Sequence, residues 1–84
     1  MKRSVDEKVS YNKAHGGDFG WGYVFGVTLY RKYGKDTRAA QETTRLTIDG
    51  MKQKAREGSE SAKGFMCGVR DAANERKAKK RETQ

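Results

Sequence analysis

The sequence holds one cysteine and one histidine, and these two scarcities exclude a good deal. A lone cysteine cannot close an internal disulfide, which argues against a small secreted scaffold and for a reducing compartment. One Cys and one His fall short of the roughly four ligands at set spacing that a structural zinc site requires, so neither metal nor cofactor is expected. No apolar run reaches the ~18 residues of a membrane span, and the amino-terminal stretch lacks the apolar centre of a secretory signal. A cytoplasmic protein without a membrane role is the expectation. Acidic residues are scattered among basic ones and form no carboxylate dyad, and no group stands ready to orient a Cys67–His15 pair, so the chain reads as a non-enzyme.

Large apolar residues are also few. The candidates for a core are Val5, Val9, Phe19, Trp21, Val24, Phe25, Val27, Leu29, Leu46, Ile48, Met51, Phe65, Met66 and Val69. A chain of 84 residues has room for one domain, and so short a chain buries a smaller share of its surface than a long one. A stability of about a few kcal/mol follows.

Against these scarcities stand ten glycines and a repeated pattern. Gly22-Tyr23-Val24-Phe25-Gly26-Val27 and Gly64-Phe65-Met66-Cys67-Gly68-Val69 share glycine, aromatic, two further residues, glycine and valine. In a helix, glycines four apart lie on one face and let a neighbouring backbone come close. The two copies are read as the halves of one helix–helix seam, formed within one chain or between two in a homodimer.

Along the chain, Ser4-Val5-Asp6-Glu7 matches a capping box and opens a helix to about Ala14. His15 to Gly22, with four glycines and two large aromatics, reads as a turn-rich loop. Tyr23 to Tyr33 is apolar on every side, which predicts a buried central element. Gly34 at its end and Arg31 and Lys32 in its last turn favour helix over strand. Asp36 is the expected cap of the next segment, Thr37 to Glu57, where Ala40, Thr44, Thr47, Met51 and Ala55 fall near one helical face. Within it, Thr43 to Ile48 alternates as a strand would, before an Asp49-Gly50 turn signal. After Gly58 and a start at Ser59 or Ser61, Ala62, Phe65, Met66, Val69, Ala72 and Ala73 mark an amphipathic helix. The preferred architecture is a mostly α bundle of three or four short helices over residues 1–75, with a basic, frayed tail over 76–84. The alternative is α+β, with a hairpin drawn from Tyr23 to Tyr30 and Thr43 to Ile48.

The formal net charge of +8 is the strongest functional signal, because a summed positive field draws anionic partners. Lys52, Lys54, Arg56 and Lys63 flank the connection before the last helix, and Arg70, Arg76, Lys77, Lys79, Lys80 and Arg81 follow along it. They point to phosphate contacts with nucleic acid, independent of base sequence, or to an acidic surface of a larger protein or nucleoprotein. No helix-turn-helix, zinc-finger or RNA-recognition pattern supports base reading. The Gly-rich segment fits neither the phosphate-loop nor the dinucleotide pattern, and His15, Phe19 and Trp21 in it are candidate anchors for a protein partner. Two functions therefore stand side by side. One is a nucleic-acid-associated binding protein. The other is a stoichiometric inhibitor or adaptor of the kind that phages and mobile elements direct at host nucleic-acid enzymes, CRISPR effectors among them.

Overall fold

The computed structural model describes the backbone of residues 4–82 and the side chains of residues 4–79. Four helices follow one another: α1 (Val5–His15), α2 (Gly17–Tyr33), α3 (Arg38–Arg56) and α4 (Glu60–Glu82). No strand occurs among the described residues, so the hairpin alternative is excluded. Thr43 to Ile48 alternates in polarity, but its burial follows the helical period: Thr44 is buried and Ile48, one turn on, half-buried, while Leu46 between them is exposed.

The ends of the helices follow local chemistry. The Ser4 hydroxyl accepts from the Glu7 amide at 3.2 Å, the first half of a capping box, and donates to the Glu7 carboxylate at 3.4 Å, so the return bond runs between side chains. Thr37, not Asp36, caps α3, accepting from the Ala40 amide at 3.2 Å. One residue separates the expected cap from the real one, because Asp36 takes part in the turn that leaves α2. Gly58 ends α3 in the left-handed region at φ 101°, a conformation that only glycine adopts without strain, and Ser59 caps the Ala62 amide.

The turn-rich loop expected from His15 to Gly22 is absent. Gly16 alone separates α1 from α2, and residues 17–22 are helical. Only Gly17, at φ 55°, uses glycine's freedom for a positive φ. Gly16 and Gly20 serve close approach instead: a Cβ on either would run into the Asn12 carbonyl oxygen. The glycines bend the chain sharply and then let α2 lie back along α1.

The most extensive contact joins α2 to α4, and it is the seam anticipated from the repeat, closed within one chain. A Cβ on Gly22 would strike the Ser61 carbonyl oxygen, one on Gly26 that of Phe65, one on Gly64 that of Phe19 and one on Gly68 that of Tyr23. Residue numbers rise together on both sides, so α2 and α4 are parallel, and α3 is the antiparallel return between them. Phe65, wholly inaccessible, and Val27, at 1% exposure, fill the seam beside the glycines, with Tyr23, Ala62 and Ala72.

The expectation that Tyr23 to Tyr33 is buried all round does not hold. The molecule measures 39 × 36 × 18 Å, and a slab 18 Å thick holds about two layers of helix at 8–10 Å spacing. One side of α2 therefore faces outward. Trp21 is 59% exposed and Phe25 50%. Leu46, at 65%, lies across α3 from buried Thr44, two residues or about 200° away.

Candidate functional site

Polar side chains tie the first, second and fourth helices together. Arg31 of α2 grips Glu75 of α4 with two bonds, at 3.0 and 2.9 Å, and Asp6 of α1 at 2.9 Å. The bond to Glu75, partly opposed by burial, raises the guanidinium pKa further above its ordinary value. The Tyr23 hydroxyl donates to Asp71 at 2.7 Å, and Lys8 approaches the same carboxylate oxygen at 3.4 Å. Burial, then the bond to Asp71, pushes the Tyr23 phenol up. Burial alone would raise the Asp71 carboxyl, but the Tyr23 bond and the Lys8 and Arg70 charges outweigh it and hold the carboxyl below its usual range. These bonds fix α1, α2 and α4 to one another. Cys67 packs against the cluster of Tyr23, Val27 and Ala72, whereas His15 lies 5.2 Å from the Tyr11 ring. Among the described residues no group of three or more His, Cys, Asp or Glu could hold a metal ion.

The basic residues sort into three places. Arg76 lies over the Tyr30 ring, 5.1 Å from its centroid, and its guanidinium fills the space where Gly34 would carry a Cβ. With Lys79 it lines an open groove of roughly 740 Å³ at the far end of the seam. Helix α4 runs on unbroken past residue 75, and the Arg76 contact attaches its next turn to the end of α2. Lys54 stands alone on the opposite side of α3 from Lys52, about 200° away. The side chains of Lys80 and Arg81 lie outside the described residues.

The third place is a surface. On α4, Lys63, Arg70 and Lys77 recur every seven residues, all exposed. On α3, Arg38, Arg45 and Lys52 do the same, with Arg56 one further turn on. At about 100° per residue a spacing of seven drifts only ~20°, so each set forms a row along its helix. The α3 row lies about 90° from the Thr44, Ile48, Met51 and Ala55 face that packs inward. The α4 row lies opposite Phe65 and Ala72, on the side left open by its neighbours. Because α3 and α4 are antiparallel and right-handed, both rows turn to the same side of their hairpin, away from α2. Each row spans ~21 Å at ~1.5 Å per residue, and packed helices put the rows about 10 Å apart.

Most of these cations carry no counter-charge. Lys63 meets Glu60 at 3.5 Å and Arg70 meets Asp71 at 3.7 Å. Among the described residues Arg38, Arg45, Lys52, Arg56 and Lys77 have no ion-pair partner. Of the basic residues anticipated from sequence, Lys52, Arg56, Lys63, Arg70 and Lys77 are thus brought together, while Lys54, Arg76 and Lys79 are elsewhere. Arg38 and Arg45 were missed. The signal that finds them is their heptad spacing with Lys52, which groups charges by face where proximity in sequence does not.

His15, Phe19 and Trp21 do not form one anchoring loop. His15 ends α1, Phe19 is half-buried with its carbonyl against Gly64, and Trp21 faces outward from α2. Comparison of the chain with family models, with curated proteins and with solved structures gives no match.

Proposed function

We propose that the protein is a non-enzymatic nucleic-acid-binding module that holds phosphates with the paired cation rows of α3 and α4. The observation that carries this reading is the pair of rows on one face: seven cations, five of them without an ion-pair partner, on two rigid helices. Duplex DNA presents one charge per ~1.7 Å of axis, so a face about 21 Å long meets phosphates in almost any register. Cations spaced ~10 Å apart engage separate phosphates, which favours affinity without sequence preference.

The test is fluorescence anisotropy of a labelled duplex of arbitrary sequence between about 25 and 200 mM salt. With five or six phosphate contacts, log affinity should fall against log salt with a slope of roughly −5, at about −0.9 per contact. Replacing Arg38, Arg45, Lys52, Arg70 and Lys77 by glutamine should bring the slope close to zero while the circular dichroism is unchanged. Absence of binding to duplex and to single strands at ~25 mM salt would sink the proposal. The same cations would then be left to an acidic protein surface.

A further inference from the structure

The outer ridge of α2 has a symmetry of its own. Asp18, Trp21, Phe25, Leu29 and Lys32 lie within an arc of about 80° at ~100° per residue. All are exposed except Leu29, which is half-buried. Trp21 and Phe25 are at least half exposed, and neither Asp18 nor Lys32 has a partner among the described residues. Counted from Phe25, Asp18 and Lys32 are each seven residues away in opposite directions, and Trp21 and Leu29 are each four away. Two such ridges laid antiparallel, crossing at Phe25, oppose Asp18 to Lys32, Trp21 to Leu29 and Phe25 to its own copy. Every contact is then complementary and occurs twice, as an isologous two-fold interface demands, and the spacing of three and four is that of a helix–helix seam.

We propose that this ridge is the interface of a homodimer, with a second copy of the chain bound antiparallel along α2. The glycine faces do not serve, since they are filled within one chain. A second copy fits better than an unrelated protein because acid and base stand at equal distances from one centre, and self-complementarity needs that placement. Net charge of +8 per chain opposes association, but the cation rows lie on the side away from α2. Joining the α2 ridges keeps those rows apart and directs them outward. The inference goes beyond the nucleic-acid reading and does not depend on it.

Sedimentation velocity on the full chain without nucleic acid, from roughly 5 to 500 µM in ~150 mM salt, tests it. A monomer–dimer equilibrium with a midpoint in the micromolar range is expected, because one helix ridge makes an interface at the small end of the range. Trp21→Glu should leave only monomer with its circular dichroism intact. Asp18→Lys and Lys32→Asp should each weaken the dimer roughly tenfold, and the two together should restore it, since like charges opposed across an interface are repulsive and the double exchange removes both. The restoring pair keeps the test decisive should Trp21→Glu fail to fold. Monomer at every concentration, association indifferent to Trp21→Glu, or a double exchange no tighter than the single ones would each overturn the proposal.

Discussion

Along one side of α4, Gly64 and Gly68 set bare backbone against the carbonyls of Phe19 and Tyr23. Along another, α3 packs on the same helix, and of its inward-turned Thr44, Ile48, Met51 and Ala55 only Thr44 is buried. The first contact is sterically unforgiving, because its partners are backbone atoms that cannot rotate aside. The second is made by side chains that repack. Stability is concentrated in the α2/α4 seam and its Arg31 and Asp71 networks, and α3 is held more loosely. A helix held by one stripe leaves the rest of its circumference free for charge, and α3 carries four of the seven paired-row cations there.

A leucine at Gly26 tests that contrast most severely. Its Cβ would meet the Phe65 carbonyl oxygen, so the helices must part, and the loss should exceed ~3 kcal/mol. That is most of the stability of so small a domain. Met51→Ala on α3, at a half-buried position, should cost only about 1–2 kcal/mol, below the range for a fully buried methionine. Urea denaturation followed by circular dichroism measures both, and equal losses would erase the distinction.

The pH limits sharpen the comparison, because the shifted groups of the seam face titrate at opposite ends. The Asp71 carboxyl is depressed in the fold. Its contribution is complete above the ordinary carboxylate pKa of ~4 and is lost as pH falls below that toward the folded value. The Tyr23 phenol is raised. Its contribution is complete below the ordinary pKa of ~10 and declines above it, where only the unfolded chain ionises. Melting temperature should therefore drop below pH 4 and above pH 10, and Asp71→Asn should make the acid drop shallower. A variant with an unchanged acid limb would remove Asp71 from the account.

The smallest expected effect lies on α3. Arg45→Gln and Lys52→Gln, both exposed and unpaired, should change unfolding free energy by no more than about 0.5 kcal/mol. Each should nonetheless lower the magnitude of the DNA salt slope by roughly 0.9. Destabilisation beyond 1 kcal/mol, in the same urea titration, would show that the outer face of α3 is not free of structural duty.

The seam was legible because two glycines four apart have few uses in an amphipathic helix, and two copies have each other. The cap at Ser4 was legible for a similarly local reason, and that of α4 was narrowed to Ser59 or Ser61, of which Ser59 serves. Residues 15–22 were not, because glycine serves both a positive φ and a close approach, and only the neighbour tells which. At Gly16 and Gly20 the neighbour is Asn12, a contact that depends on the chain doubling back. Trp21 was read both as a core candidate and as an anchor, but the rest of the outward face of α2 escaped notice because Phe25 is as apolar as any core residue, and nothing in a linear run reveals that the layer beyond it is missing. The cation face was largely legible: clustering in sequence found Lys52, Arg56, Lys63, Arg70 and Lys77, while Arg38 and Arg45 belong to it through helical pitch.

The parallel course of α2 and α4 bears on how the chain reaches this state. Antiparallel helices can close on a short turn, as α1 and α2 do across Gly16. Parallel ones need a return path: the seam sets Gly22 against the backbone of Ser61 and Phe65, and the two glycine stretches lie 42 positions apart. Bringing such ends together costs conformational entropy that grows with the logarithm of the loop, about 3 kcal/mol for a flexible segment of that length. Helix α3 lessens that burden by turning nineteen of the intervening residues into a rod of ~28 Å. Besides displaying charge, the third helix is the spacer that delivers one glycine face to the other.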